Sequence, residues 1–355
     1  HFKSRLNLLT THLNLPEVYF HGRTVLEFGP NGGQNALLLA ELGATLTLVE
    51  PNVSLHEGIQ QLFSSHDLSM LGDQTVNKFA GLRNIYSDTI ESFSTNEKYD
   101  LVIAEGFLHA IPNRTECIRK LCELSRGVVV FTYSCRFGSF CEAIKRVVYK
   151  LACEDFGKKQ ELSASLKLDV ARKLYLDDFS ALNSSRRFES WVADVIQNPC
   201  QVSQTLDAFE DMELICRESG YTIHGTSPSW DCRNAFRWYK DFAKENICEA
   251  WRDALSFMIM GDTAMKLSDR DVKLVGMLTP KLLDFSSGVS SVSIGDIKKG
   301  VLELSDVFTD IKRFFGVLDE EPGADLLIAN YRTGKFFRRW GMPHHYIAAA
   351  KQYAR

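Results

Sequence analysis

Short apolar runs alternate with amphipathic segments over the first third of this chain. Several runs are rich in β-branched and aliphatic residues and too short for helices, so they predict buried strands. The amphipathic segments, including a leucine-rich leading segment over 3–20, have apolar residues at spacings of three and four, which predicts helices. Strands that alternate with helices indicate a parallel α/β sheet. The predicted strands are 24–28, 45–49 and 127–133, with two more inside NIYSDTI and KYDLVIAEGFLHAI.

The stretch from Thr24 to Asn52 combines a buried strand, a glycine-rich turn, a helix and a second strand. Gly29 and Gly33 let the backbone turn sharply and approach a ligand where a Cβ would clash. Asn31, between them, is the non-glycine residue type that best tolerates a positive φ. The second strand ends at Glu50, at the edge of a doubly wound sheet where ligands bind. A carboxylate there can accept both hydroxyl protons of a ribose, which predicts a pocket for an adenosine-bearing cofactor.

Two classes of cofactor use such a pocket, and the glycine turn distinguishes them. A dinucleotide fingerprint has the spacing G-x-G-x-x-G, with the helix N-terminus facing a pyrophosphate. This chain has G-P-N-G-G instead, and Glu27 stands two residues before Gly29. A carboxylate is unfavourable beside a pyrophosphate but suits a sulfonium with an α-amino group. The residues therefore favour S-adenosylmethionine as cofactor, with S-adenosylhomocysteine as its product.

The segment LEFGPNGG resembles the first motif of the class I S-adenosylmethionine-dependent methyltransferases, with matches at Glu27, Gly29 and Gly33. Asn31 stands where the family usually has its middle glycine. The resemblance implies that Glu50 binds the ribose. It also implies methyl transfer as the activity, and a Rossmann-like fold with a mostly parallel sheet of seven strands.

The resemblance continues through the third and fourth predicted strands. It implies that Asp88, after the third strand, contacts adenine. The loop after the fourth strand covers the methionine end of the cofactor in the family, which assigns Glu105, Gly106 and Phe107 to the cofactor or active-site lining. Family members often carry a histidine at the position after His109, so His109 is the candidate catalytic base.

The rest of the sheet is predicted much later in the chain, as a helix over 206–219, a sixth strand over 221–226 and a last strand over 345–351. Two mainly helical insertions separate these parts, with apolar residues at mixed spacings of three and four in segments such as 296–315 of the second. The insertions are expected to form a cap over the acceptor, because the first leaves the carboxyl end of the fifth strand. An oligomerisation surface is the alternative. The predicted division is 1–135 for the cofactor-binding half, 136–205 for the first insertion, 206–227 for the return to the sheet, 228–340 for the second insertion and 341–355 for the last strand.

Three further residues are candidates for contacts with the methyl acceptor. Tyr133 ends the fifth strand, Arg136 opens the first insertion, and Trp230 follows the sixth strand. The structural alternatives are a buried tyrosine, a solvated arginine and a tryptophan packed at a domain junction. A hydroxyl acceptor benefits from a general base, whereas an amine needs mainly to arrive deprotonated. His224, in the sixth strand, is a second candidate base after His109.

Charge and composition narrow the class of partner. A formal net charge of −4 argues against a general nucleic-acid binder, and it favours a small molecule or a glycan as acceptor. No apolar run approaches the roughly 20 residues that span a bilayer. Nine cysteines without a C-x-x-C pair indicate reduced thiols, and so a cytoplasmic location. No cluster of histidines and carboxylates has metal-ligand spacing, so no metal is predicted.

Two alternative functions stay open. Tyr331 and Lys335 have the Y-x-x-x-K spacing of nicotinamide-dependent oxidoreductases, although they come late in the chain for the ligand edge of the sheet. The second alternative is a catalytically inactive, methyltransferase-like scaffold that binds the cofactor, for which Asn31 is the one departure in the motifs.

Overall fold

The computed structural model describes residues 2–65, 81–157, 162–182, 186–230, 247–262, 265–289, 291–320 and 323–352. The chain divides into two compact units. The first contains His1–Tyr133, Phe209–Ala250 and His345–Arg355, and the second contains Ser134–Ala208 and Trp251–His344. Each unit has its own cluster of buried apolar side chains.

A twisted sheet organises the first unit. Its strand order is β3-β2-β1-β4-β5-β8-β7, and β6 pairs with the end of β5. Neighbouring strands from β3 to β5 run parallel, whereas β7 and β8 are antiparallel. The prediction of a Rossmann-like, mostly parallel sheet of the class I type is confirmed. The strands are β1 Thr24–Phe28, β2 Thr45–Val49, β3 Leu82–Tyr86, β4 Tyr99–Ala104, β5 Ser125–Cys135, β6 Leu206–Asp207, β7 Tyr221–Ser227 and β8 His344–Lys351.

The helices follow the apolar periodicity of the sequence, and the helix His56–Ser65 illustrates why. Ile59 and Phe63, four residues apart on one face of this helix, are buried, and burial of such a face supplies most of the stability of a short helix. The helices are α1 Phe2–Asn7, α2 Gln34–Glu41, α3 His56–Ser65, α4 Arg114–Leu124, α5 Phe140–Gly157, α6 Ala164–Ser180, α7 Phe188–Trp191, α8 Phe209–Glu218, α9 Ile247–Met260, α10 Asp269–Ser287, α11 Ile294–Leu302, α12 Thr309–Gly316 and α13 Ala324–Thr333.

Among the residues that the structure describes, the sheet has eight strands rather than the predicted seven. The additional strand, β6, consists of Leu206–Asp207, which the sequence pattern assigns to the start of a helix. These two residues pair with Ser134 and Cys135 at the end of β5. Such a short pairing depends on tertiary contact and leaves no periodicity in the sequence, so α8 begins only at Phe209.

The leading helix is shorter than the predicted span of 3–20. α1 covers Phe2–Asn7 and continues as a π-helical turn over Leu8–His12. Asn14 then adopts a left-handed φ of 54°. Pro16 follows two residues later, and a proline disfavours the helical conformation of the residue before it.

The second unit is helical, with one break and one helix that the sequence pattern does not predict. The segment 296–315 forms α11 and α12 rather than one helix, because the Ser305 amide donates to Asp271 Oδ1 at 2.9 Å between them. α10 is not among the predicted helices and contains Pro280. Ser268 caps its N-terminus, and the Ser268 hydroxyl accepts from the amide of Asp271.

Candidate functional site

The first four strands end at the same level, which creates a common edge for the residues that follow them. Phe28 at the end of β1 pairs with both Val49 and Ala104, and Val49 pairs with Tyr86. Because these strands are parallel, their carboxyl ends lie side by side. The predicted cofactor residues that follow these ends are Gly29, Glu50, Asp88 and Glu105.

The glycine turn after β1 has the left-handed backbone that the sequence predicts. Gly29, Asn31 and Gly33 have φ values of 64°, 53° and 80°. The Gly29 amide donates to the carbonyl of Val49 at 2.9 Å, which ties the turn to β2. A Cβ at Gly29 would lie 3.0 Å from two ring atoms of Phe107. The turn therefore has no room for a side chain at Gly29, and Phe107 is placed against it.

Glu50 is held at the end of β2 by backbone donors. Its side chain is buried, and its two oxygens accept from the amides of Asn31 at 3.1 Å and Asn52 at 2.9 Å. An ionised carboxylate has about four acceptor positions, so each oxygen retains capacity for one further donor. The carboxylate is fixed in a geometry that can still receive two hydroxyl groups.

Asp88 lies two residues beyond β3 and is half-buried. Its Oδ1 accepts from the Ser92 hydroxyl at 3.3 Å. The neighbouring Phe93 is buried and packs edge-on against Phe28 and Tyr86, with ring centroids 5.6 and 5.3 Å apart. An aromatic group thus links the ends of β1 and β3 next to Asp88.

Three charged side chains meet beneath this edge. Glu27 of β1 is 3% exposed, and Arg5 of α1 donates to Glu105 Oε2 at 2.7 Å. Burial, together with the neighbouring Glu105, raises the pKa of Glu27 to about 8, although Arg5 opposes the shift. Burial alone would lower the pKa of Arg5, but it is raised because of Glu105 and Glu27. Burial and the second carboxylate both disfavour ionisation of Glu27.

The loop after β4 is fixed to the next strand. The Gly106 amide, at a φ of 80°, donates to the Thr132 hydroxyl at 2.7 Å. Phe107 and His109 are both half-buried. His109 belongs to a single 3-10 turn, Leu108–Ala110. This turn comes shortly after the carboxyl end of β4.

Two of the predicted acceptor residues are buried in the first unit. The Tyr133 hydroxyl lies 2.9 Å from Nδ1 of His345. Trp230 is 3% exposed and packs edge-on against Phe209, with ring centroids 4.6 Å apart. The Trp230 and His345 rings are 5.7 Å apart. These residues form one packed aromatic group.

The other candidates have the following surroundings. Arg136 belongs to the second unit, where its amide donates to the carbonyl of Asp207 at 3.0 Å. His224 of β7 has a lowered pKa because of its burial, and Asn14 donates to its carbonyl at 2.7 Å. Tyr331 is buried in α13 of the second unit against Tyr175.

Arg5 and His345 contact predicted site residues, and the sequence patterns identify neither of them. Arg5 sits inside a leucine-rich segment, and a lone arginine there is typical of a solvated helix face. The pairing of Arg5 with Glu105 joins residues a hundred positions apart, and only the folded sheet brings them together. His345 lies at the start of β8, and its contact with Tyr133 joins residues 212 positions apart.

No metal site is found in the part of the chain that the structure describes, where no group of three or more metal-binding side chains comes together. Within the same residues, no helix combines the length and apolar character needed to cross a membrane.

A family model described as a methyltransferase domain matches residues 5–224, which is more than half of the chain. No curated protein matches at a significant level.

Several solved methyltransferases resemble the chain, at low sequence identity. Magnesium protoporphyrin IX methyltransferase from Synechocystis PCC 6803, with bound SAM, is 13% identical over 63% of this chain and 69% of that one, with a TM-score of 0.35. Coclaurine N-methyltransferase bound to N-methylheliamine and SAH is 20% identical over 38% of this chain and 36% of that one, with a TM-score of 0.30. The N-methyltransferase NodS from Bradyrhizobium japonicum WM9, with SAH, is 16% identical over 38% of this chain and 60% of that one, with a TM-score of 0.29.

Proposed function

This chain belongs to the methyltransferase-domain family, and we propose that it transfers a methyl group from S-adenosylmethionine to a hydroxyl or amine of a small molecule or glycan. The enzyme class and the methyl donor predicted from the sequence are confirmed by the family membership. The acceptor and the roles of individual residues are the proposal.

The observation that carries the donor assignment is the geometry of the carboxyl edge. Glu50 is held by two backbone amides and keeps two acceptor positions, which fits the two hydroxyls of a ribose. Gly29 lets the Phe107 ring lie against the turn, because a Cβ there would come within 3.0 Å of that ring. Glu27 Oε2 and Glu105 Oε1 are buried oxygens without a hydrogen-bond partner among the described residues, and such oxygens fit a cationic ligand. The residues present therefore fit S-adenosylmethionine.

The donor supplies a methyl group already activated on a sulfonium. The protein's contribution is mainly to place the acceptor in line with that methyl group, and holding two reactants in the right orientation can supply much of the acceleration. The loop over Glu105, Gly106 and Phe107 follows β4 at this edge, and we assign it to the lining of the donor and of the reacting groups.

His109 is the proposed general base for a hydroxyl acceptor. It lies in the turn that follows this loop and is half-buried. A positioned base typically contributes 10²- to 10⁴-fold to such a reaction. An amine acceptor would depend on His109 much less, because it needs only to arrive deprotonated.

A small-molecule or glycan acceptor is favoured by the acidic character of the chain, whose formal net charge is −4. We also keep the prediction that the helical insertions cap the acceptor. Its support is connectivity, since the chain passes into the second unit at the end of β5. Tyr133, Arg136 and Trp230 are retained as proposed acceptor residues. Of these, Arg136 has a buried Nε without an acceptor among the described residues.

The alternatives differ in their binding and turnover. Isothermal titration with S-adenosylmethionine, S-adenosylhomocysteine and NADH separates the methyltransferase from an oxidoreductase, and heat with NADH alone would overturn the donor assignment. Turnover of a labelled methyl donor with panels of phenols, amines and sugars then tests catalysis. Donor binding without transfer to any member of these panels would favour the inactive scaffold.

A further inference from the structure

The second unit contains a cleft of about 420 Å³, and all of the residues that line it belong to that unit. Small-molecule sites commonly have volumes of about 300–1,000 Å³, so the cleft has room for a small ligand. Leu174 of α6 and the Trp340 ring supply apolar parts of its wall. Four charged side chains also line it, namely Asp177, Asp178, Arg332 and Arg338.

The four charged side chains of the cleft differ in how they are paired. Arg332 donates to Asp177 at 2.6 Å, so these two groups satisfy each other. Asp178 and Arg338 interact only through their charges. Neither of these two side chains has a hydrogen-bond or ion-pair partner among the residues that the structure describes. The cleft therefore presents one carboxylate and one guanidinium that are not bonded to each other.

The surroundings of Asp178 leave its charge only partly compensated. The residue is half-buried, and burial raises the pKa of its carboxyl although Lys145 and Arg338 act in the opposite direction. A carboxylate is an acceptor only, so an ammonium group in the cleft would supply the donors that Asp178 lacks. The Arg338 guanidinium is a donor only, and its planar fork suits a carboxylate.

The aromatic wall of the cleft is held in place by buried neighbours. Lys145 is 1% exposed and donates to the carbonyl of Arg339 at 2.6 Å. Its ammonium lies 4.9 Å from the centroid of the Trp340 ring, and Trp191 packs edge-on against the same ring at a centroid distance of 5.2 Å. Trp340 is thus fixed before any ligand arrives, and a preformed wall lowers the cost of ordering on binding.

We propose that this cleft binds a small zwitterion with an apolar body, such as a free aromatic amino acid, with its ammonium on Asp178, its carboxylate on Arg338 and its apolar part against Trp340. A ligand with a single charge would leave either Asp178 or Arg338 unpaired. The inference goes beyond the proposed function and does not depend on it, because Glu50 and the other proposed donor residues belong to the first unit.

Three ligands that share a phenyl group and a short carbon chain test the two charges. L-Phenylalanine carries both charges, phenethylamine carries only the ammonium, and 3-phenylpropionate carries only the carboxylate. In NMR titrations of the full chain, L-phenylalanine should bind with a Kd of about 1 mM or tighter. Each single-charge ligand should bind at least about 10-fold more weakly, as expected for the loss of one charge-assisted pair.

Two substitutions assign each charge to a residue. Asp178→Asn should weaken L-phenylalanine at least about 10-fold and leave 3-phenylpropionate within about 3-fold of its wild-type affinity. Arg338→Met should weaken L-phenylalanine by a similar factor and leave phenethylamine within about 3-fold. Retained binding of the single-charge ligand also shows that each variant is folded. Asp169→Asn is the matched control, since Asp169 lies on the same helix as Asp178 and pairs with Arg172, and it should change none of these affinities.

The possible results separate this inference from the proposed function. A Kd for L-phenylalanine much weaker than about 1 mM, equal affinities for the three ligands, or equal effects of Asp178→Asn and Asp169→Asn would overturn the zwitterion site. S-Adenosylhomocysteine, titrated in parallel, reports on the donor edge. If it binds while L-phenylalanine does not, only the inference is wrong, whereas the reverse result removes the proposed function and leaves the cleft assignment in place.

Discussion

Replacement of Glu50 by alanine tests the donor site most directly. In the structure the two Glu50 oxygens accept from the amides of Asn31 and Asn52 at 3.1 and 2.9 Å. The two remaining acceptor positions are assigned to the ribose hydroxyls. Hydrogen bonds to a charged group contribute about 1.5–3 kcal/mol each. Loss of two such bonds therefore predicts a fall of at least about 3 kcal/mol, or roughly 100-fold, in affinity for S-adenosylhomocysteine.

The same substitution also leaves two backbone donors without their carboxylate partner, so part of any loss would come from the turn itself. A 2′,3′-dideoxy analogue of S-adenosylhomocysteine separates the two effects, because it cannot use the ribose contacts. Glu50→Ala should weaken the analogue far less than the parent ligand. Titration calorimetry gives the four affinities of this cycle, and Glu91→Ala, at an exposed position, controls for loss of a carboxylate. Equal weakening of both ligands, or an unchanged affinity for S-adenosylhomocysteine, would refute the ribose assignment.

Three further predictions concern the turn, the base and an ion pair away from the site. Gly29→Ala should lower the affinity for S-adenosylhomocysteine at least about 10-fold and lower the free energy of unfolding by about 1–2 kcal/mol. Gly22→Ala is the control, because Gly22 also has a positive φ, of 69°, but no atom lies within 4 Å of the added Cβ. Denaturant titrations and binding measurements should show the loss of stability alone for this variant. His109→Asn should lower kcat for a hydroxyl acceptor about 100-fold or more with donor affinity unchanged, and a normal kcat would remove His109 as the base. A hydrogen bond from Arg126 lowers the pKa of Asp100 from 3.8 to about 2, so its stabilisation is present above pH 3.8 and is lost as the pH falls towards about 2. Asp100→Asn should cost about 1 kcal/mol after solvent screening, and the difference in Tm from the wild type should shrink as the pH falls through this range.

The first half of the sheet could be predicted from the sequence because local sequence determines each of its strands and turns. The run from Thr24 to Phe28 forms β1 with the predicted bounds, and Gly29 adopts the left-handed backbone that the turn requires. Apolar strand runs and glycine turns act over a few residues, which is the range that a sequence pattern can report. The family and the methyl donor could be predicted for the same reason.

The features that could not be predicted from the sequence depend on contacts between segments that are far apart in the chain. β6 exists because Leu206 and Asp207 meet the end of β5, and Arg5 becomes part of a charged cluster only because α1 reaches Glu105. Neither contact has a periodicity or a motif. The acceptor residues are subject to the same limit, so Tyr133, Arg136 and Trp230 remain predictions.

Gly225 shows how a residue with no chemical role can influence the donor site. It follows a bulge in β7 at His224, and a Cβ there would lie 2.6 Å from the carbonyl group of Leu13. A side chain at Gly225 would therefore displace the segment that carries Arg5 on its N-terminal side. A screen of variants scored by donor affinity alone would rank Gly225 with the glycines of the β1 turn, although its contribution is to leave room for a neighbouring backbone.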